Sequence, residues 1–215
     1  MCFFPIVLAG LTGVIPMDTP LATVSQMETV IGEDGAVILW PVVEGDLPGT
    51  SRINEILNYE NAVGETLEET SENYSINHRG IVGSSFRVVW SDPQFLDLEI
   101  TVETLGAYPS SMVFRYLFDL ETGEEVTPND LFLPETMPEL IQLCDSMLQD
   151  RIHNETGGGY VFTEEDLENV GMRRGGIVFH YDFNYPHAAA AAEPDGELFF
   201  PWSEINRFLL PRYRR

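Results

Sequence analysis

Two histidines and an aspartate in the last third of the chain have the side chains best suited to metal binding or proton transfer. His180 and Asp182 stand two positions apart in a run typical of a β-strand, so both side chains should leave the same face, and His187 follows soon after. An imidazole beside a carboxylate can bind a metal ion or act in acid–base catalysis. No third ligand stands at a supportive spacing, and Cys2 and Cys144 form neither a zinc pattern nor a redox pair. We therefore expect polar residues on the solvated face of a strand, with no metal and no cofactor.

A second group of carboxylates, formed by Asp97, Glu99 and Glu103, alternates with apolar residues such as Leu98 and Ile100. Such a stripe could bind calcium, or hold the paired carboxylates that cleave a glycosidic bond. The strict alternation favours a strand with one buried face and one solvated, acidic face. A solvated face is the simpler interpretation, and we assign no catalytic residue.

Aromatic residues are the other candidates, because Tyr and Trp are favoured at binding interfaces. Tyr108, Tyr185 and Trp202 are the possible anchors, with core packing as the alternative for each. The residues predicted to contact a ligand are therefore Tyr108, His180, Asp182, Tyr185, His187 and Trp202.

The charge of the chain is strongly unbalanced. Its 215 residues include 35 acidic and 11 basic ones, every basic residue is an arginine, and the formal net charge is −24. Repulsion from phosphate backbones argues against nucleic-acid binding, and no apolar run predicts a membrane span. A hydrophobic content of 44% indicates a folded protein. A coat that favours solubility, adaptation to high salt and attraction of a cationic partner all fit this charge.

Local patterns predict the elements that would position these residues. Predicted strands cover residues 36–43, 84–91, 94–106, 111–120, 176–184 and 197–200. Predicted helices cover residues 51–70, 138–153, 163–171 and 201–210. Connections at Asp92–Pro93 and around Gly106 are too short for a parallel crossover, so we predict an antiparallel sheet containing 84–91, 94–106, 111–120 and 176–184. The fold class is α+β, with the helices near 51–70 and 138–153 packed on one face of that sheet.

We divide the chain into three segments. Residues 1–25 are a truncated signal or an apolar lead-in, residues 36–83 a strand–helix module, and residues 84–215 an α+β domain that forms one compact unit with the module. The apolar run from Cys2 to Pro16 fits either the remainder of an export signal or a first strand packed on the domain.

Three blocks of the sequence resemble the RsiV/PdaC-type extracytoplasmic domain family, a domain of unknown function. The segment from Phe95 to Phe132 is similar to its central block, through the Gly106–Pro109 turn, the Phe118–Gly123 turn and the Asp130–Phe132 segment. The stretch 176–205 is similar to the terminal block, and 38–58 to the strand–helix module that precedes it. In this order the blocks span about residues 36–210.

The resemblance implies a non-catalytic binding or sensing module that works outside the cytoplasmic membrane, with an envelope protein or a cell-wall glycan as ligand. One family member is an anti-sigma factor that binds lysozyme, and another is joined to a peptidoglycan deacetylase. Neither a sigma-binding segment nor a deacetylase metal motif is found in this sequence. The resemblance therefore gives only weak support for lysozyme binding by this chain, and it implies no catalytic residue. The alternative is a small hydrolase of envelope polysaccharide or peptidoglycan that uses the histidines and carboxylates above. The oligomeric state is not predicted.

The charge leads to a first prediction. At low ionic strength the acidic residues repel one another, and salt weakens this repulsion because the screening length falls to about 10 Å at 0.1 M. We expect the melting temperature, measured by circular dichroism, to rise from tens of millimolar NaCl towards molar, more than that of a neutral domain of similar size. A melting temperature that stays flat across the series would show that the carboxylates are too far apart to interact.

Overall fold

The computed structural model describes residues 22–32, 35–77, 79–152, 159–183, 185 and 193–215. The apolar run 2–16 and His187 lie outside these residues. The chain divides into two compact units between Glu125 and Val126. The predicted boundary between residues 83 and 84 falls instead inside a strand of the first unit. The α+β fold class is confirmed, because strands and helices occur in both units.

The first unit contains one five-stranded sheet. Its strands are β1 (Thr23–Ile31), β2 (Ala36–Glu44), β3 (Gly80–Ser91), β4 (Phe95–Leu105) and β5 (Pro109–Asp119), in the spatial order β1-β2-β3-β4-β5. The antiparallel pairs predicted for β3, β4 and β5 are present. The sheet also includes β1, which the sequence analysis did not identify, and β2, which pairs with β3 in parallel.

The parallel pair of β2 and β3 follows from the long connection between the two strands. Parallel neighbours need a crossover, and here it consists of three short helices, α1 (Thr50–Ile56), α2 (Tyr59–Val63) and α3 (Leu67–Asn77). The sequence analysis predicted a single helix over 51–70. The predicted helix is interrupted at two points. The side chain of Asn58 caps the start of α2, and Gly64, with a φ of +86°, ends α2.

One face of the sheet forms the core of the first unit. Leu98 and Ile100 of β4 are fully buried, as predicted, and share this core with Trp40, Ile53 and Tyr59. The rings of Trp40 and Tyr59 meet edge to face with centroids 4.8 Å apart. Burial of each side chain contributes about 1.5–3 kcal/mol, so this face provides the main stabilisation of the unit.

The second unit contains a three-stranded antiparallel sheet and three helices among its described residues. Its elements are α4 (Pro128–Leu131), α5 (Met137–Ile152), β6 (Val170–Arg173), β7 (Gly176–His180), β8 (Glu197–Pro201) and α6 (Trp202–Ile205), and the sheet order is β6-β7-β8. Helix α4 begins at Pro128, with the backbone N–H and the hydroxyl of Thr127 both donating to the Asp130 carboxylate.

The strand predicted over 176–184 is shorter than expected and does not belong to the sheet of β3, β4 and β5. As β7 it has β6 on one side and β8 on the other, so both of its edges are already paired. Gly176 permits this, because a Cβ there would lie 1.9 Å from the carbonyl oxygen of Phe200 in β8.

Two other helices differ from the prediction. The helix expected over 163–171 is one 3-10 turn, Glu165–Glu168, followed by β6, because Val170 pairs with Phe179 in the sheet. Gly171, interpreted as a helix stop, lies inside that strand. The helix predicted to reach residue 210 ends at Ile205. Helix α5 matches its predicted range within one residue at each end.

Truncation of the core tests this fold. Leu98→Ala should lower the free energy of unfolding by about 2–5 kcal/mol, because the fully buried side chain leaves a cavity. Val113→Ala on the neighbouring strand is the matched control, since Val113 is 39% exposed and its loss should cost at most about 1 kcal/mol. Chemical denaturation followed by fluorescence measures both values. Equal losses from the two substitutions would contradict the buried placement of β4.

Candidate functional site

His180, at the end of β7, lies in a cluster of charged residues rather than on a solvated face. Its side chain is 9% exposed, and its Nε2 accepts from Nη2 of Arg173 at 3.4 Å. Nδ1 lies 3.8 Å from Oε1 of Glu197, and the same oxygen is 3.2 Å from Arg173. This geometry fits a neutral ring protonated at Nδ1. With its lone pair engaged and its ring enclosed, His180 is poorly placed to take a proton from a substrate.

Asp182 does not share a solvated strand face with His180. Strand β7 ends at His180, and Asp182 lies beyond it as an exposed residue. Within the described ranges, no three or more His, Cys, Asp or Glu side chains are grouped to hold a metal ion. Burial raises the pKa of the Cys144 thiol far above its ordinary value, so this cysteine stays protonated and packs as a small apolar residue.

The predicted acidic stripe on β4 is only partly solvated. Asp97 is 5% exposed, so the expectation of a solvated side chain is wrong there. Glu99 is held from both neighbouring strands, with Nη2 of Arg87 at 3.0 Å and Nε of Arg115 at 3.7 Å from its Oε2. The register places these three residues directly opposite one another. Both carboxylate oxygens of Glu99 accept from Arg87, so this residue is ion-paired rather than solvated.

The second unit also contains a group of aromatic rings that we call the tyrosine cluster: Tyr160, Tyr181 and Tyr185, arranged around Phe183. Phe183 is 5% exposed, and its ring centroid lies 5.1, 5.0 and 6.2 Å from those of Tyr160, Tyr181 and Tyr185. The rings of Tyr160 and Tyr185 are stacked at 6.3 Å. All three tyrosines are partly exposed, whereas Phe183 is buried among them.

Helix α5 fixes the position of Tyr160. Nε2 of Gln149 donates to the carbonyl oxygen of Tyr160 at 2.7 Å, and the carboxylate of Asp145 accepts from the backbone N–H of Phe162 at 3.0 Å. Across the cluster, the hydroxyl of Tyr181 donates to the carbonyl oxygen of Val161 at 3.4 Å. The first two bonds attach residues 160–162 to α5, and the third joins them to the segment after β7.

The tyrosine cluster also has defined electrostatics. Burial raises the pKa of the Tyr181 phenol above its ordinary value, and the nearby carboxylate of Asp166 raises it further. The phenol is therefore protonated at neutral pH and acts as a hydrogen-bond donor.

The structure describes five of the six predicted site residues, and they come from several different segments of the chain. Tyr185 belongs to the tyrosine cluster, and His180 to the cluster with Arg173 and Glu197. Trp202 begins α6, with the guanidinium carbon of Arg215 4.9 Å from its ring centroid. Tyr108 is 70% exposed in the turn between β4 and β5 of the first unit.

Sequence reasoning missed Tyr160 and gave Tyr181 and Phe183 another role. Tyr181 and Phe183 alternate with polar residues and were interpreted as one face of a long strand. That same alternation continues to Tyr185 and was the signal that could have identified the group. Tyr160 gives no such signal, because it comes from a separate segment.

Two solved structures of DUF3298 family proteins have a fold similar to that of this chain. The protein from Bacteroides fragilis NCTC 9343 is 14% identical, with 90% of this chain and 94% of that chain covered and a TM-score of 0.59. The protein from Pseudomonas aeruginosa PAO1 is 12% identical, with 91% and 96% covered and a TM-score of 0.60. The fold resembles theirs over nearly the whole chain. No protein-family model and no curated protein matches the sequence.

The similarity to DUF3298 proteins is one of fold alone, because the identities are low. At that level the prediction of an α+β fold is confirmed. In the part of the chain that the structure describes, no helix has the length and apolar character to cross a membrane.

Proposed function

We propose that this protein is a non-catalytic, extracytoplasmic binding module of the RsiV/PdaC type, and that it holds a cell-wall glycan on the tyrosine cluster. The observation that carries the proposal is the set of three partly exposed tyrosines fixed around buried Phe183. The resemblance in sequence supports the setting in the cell envelope.

The chemistry of the cluster suits a sugar. Tyrosine offers an apolar ring face for the C–H surface of a pyranose and a hydroxyl for its polar rim. The rings are already packed against one another before a ligand arrives, so binding orders few side chains and loses little entropy.

Binding of a glycan without cleavage is better supported than hydrolysis. A hydrolase of envelope polysaccharide would need an accessible acid and base. His180 is instead enclosed between Arg173 and Glu197, and Glu99 is held by two arginines. Incubation with peptidoglycan followed by chromatography of released fragments separates the two functions, because only the hydrolase would release any.

The proposed location has its own test. If the protein works outside the cytoplasm, expression from an upstream start that extends the apolar run 2–16 should deliver it to the envelope or the medium. Cell fractionation and sequencing of the mature N-terminus measure this. Recovery from the cytosol alone, with the N-terminus intact, would contradict the location.

Substitution in the tyrosine cluster tests the proposed ligand. The protein should co-sediment with purified peptidoglycan, and Tyr160→Ala or Tyr185→Ala should weaken binding about tenfold or more, as expected for a central aromatic anchor. Tyr108→Ala is the matched control, because Tyr108 is 70% exposed and lies in the first unit. This variant should bind peptidoglycan as the unaltered protein does.

Melting curves must first show that each variant is folded. Tyr185→Phe keeps the ring and loses only the hydroxyl, so it should retain most of the affinity. Binding that is unchanged in Tyr160→Ala and Tyr185→Ala would overturn the assignment of the site. Failure of the unaltered protein to bind peptidoglycan at all, with capture of an envelope protein instead, would overturn the glycan as ligand.

A further inference from the structure

A carboxylate of α5 lies one peptide unit away from a ring of the tyrosine cluster. The carbonyl oxygen of Val161 accepts from the hydroxyl of Tyr181 at 3.4 Å. The N–H of the same peptide unit, on Phe162, donates to the carboxylate of Asp145 at 3.0 Å, and the side-chain amide of Gln149 donates to it at 3.2 Å. Both donors to this carboxylate are uncharged, so they leave its negative charge in place.

A second carboxylate, that of Asp166, acts on the same tyrosine. Its Oδ2 accepts from the backbone N–H of Thr163 at 2.6 Å and from the hydroxyl of Thr163 at 2.8 Å, and both of these donors are uncharged. Burial is the largest cause that raises the pKa of the Tyr181 phenol, and the charges of Asp166 and Asp145 raise it further. Both carboxylates therefore contribute to a negative potential at the tyrosine cluster.

The segment of chain that carries Tyr160 is itself acidic. Residues 159–169 include Glu164, Glu165, Asp166 and Glu168 and no arginine. Such a surface repels an anionic ligand, and a neutral ligand gains nothing from its potential. A cation is attracted, and the face of a tyrosine ring binds a cation through the negative side of its quadrupole. Partly exposed tyrosines beside carboxylates are therefore complementary to a ligand that carries an ammonium group.

We propose that the tyrosine cluster selects glycan units whose amino group is free and protonated, that is, de-N-acetylated amino sugars, over their N-acetylated forms. This inference rests on the proposed glycan-binding function and specifies the chemistry of the ligand. The sugar ammonium lies against a tyrosine ring, and the carboxylates of Asp145 and Asp166 provide the complementary charge. An N-acetyl group makes the nitrogen neutral and removes both contributions.

The test compares two soluble oligosaccharides of equal length, one built from glucosamine and the other from N-acetylglucosamine, by isothermal titration calorimetry with the full chain. The experiment is done at mildly acidic pH, where the amino groups of the first oligosaccharide are protonated, and at moderate NaCl. We expect the glucosamine oligomer to bind about tenfold more tightly than the N-acetylated one. Tyr160→Ala should weaken the binding of the glucosamine oligomer about tenfold.

The contribution of charge at the cluster is measured with Asp166→Asn. This substitution keeps the size of the side chain and one oxygen that can accept from Thr163, but it removes the negative charge. The ratio of the two affinities should fall about threefold or more, because the ammonium loses a complementary charge.

Asp46→Asn is the matched control. Asp46 is exposed between β2 and α1 in the first unit, so this variant removes the same charge from the protein without changing the tyrosine cluster. It should leave the ratio of affinities within about 1.5-fold, since an exposed charge more than a screening length of about 10 Å away has little effect. Melting curves establish that all three variants are folded.

The possible failures of the two proposals can be told apart. Equal affinity for the two oligomers, lost in Tyr160→Ala, would leave glycan binding at the cluster in place and overturn the selection of free amino groups. Equal effects of Asp166→Asn and Asp46→Asn on the ratio would overturn it too, because the net charge alone would then attract the glucosamine oligomer. If neither oligomer bound, both the glycan-binding function and this inference would be wrong.

Discussion

Strand β4 sets the arrangement of the first unit, because it must satisfy a partner on each side and a buried core on one face. Its backbone pairs with β3 and β5 along its length, and Leu96, Leu98, Ile100 and Val102 are fully buried. These side chains form the surface on which Ile53 of α1 and Tyr59 of α2 pack. A slip of one residue in register would turn the whole apolar row to the other face, so the pairing is strongly specified.

The large net negative charge is the second constraint on the fold, and arginines offset part of it by pairing with carboxylates. Acidic residues outnumber arginines 35 to 11, so each arginine has a choice of partners. Arg52 joins Glu55 to Glu124, which follows β5, and Glu99 joins Arg87 to Arg115 across three strands. Exposed pairs of this kind contribute less than about 1 kcal/mol each, so they align elements that the core already holds together.

Much of the fold was predictable from local patterns, and the parts that were not depend on distant residues. The strict alternation of β4 and β5 and the apolar stripe of α5 placed those elements within a few residues. Strand β1 has a mixed polar sequence without such an alternation. The parallel pairing of β2 and β3 is not indicated by any pattern within either strand. The tyrosine cluster was less predictable still: Tyr185 stood among the residues predicted to contact a ligand, whereas Tyr160 meets it only through folding. Burial of Asp97 could not be predicted, because alternation says which face a residue takes and not what covers that face.

Whether the tyrosine cluster binds a cell-wall glycan decides the proposed function. The most direct test is an NMR titration of protein carrying ¹³C-labelled tyrosine with soluble peptidoglycan fragments. We expect saturable shifts in the ring signals of Tyr160, Tyr181 and Tyr185, while those of Tyr108 and the buried Tyr59 stay unchanged. Shifts confined to tyrosines outside the cluster, or no shift at saturating fragment, would contradict it.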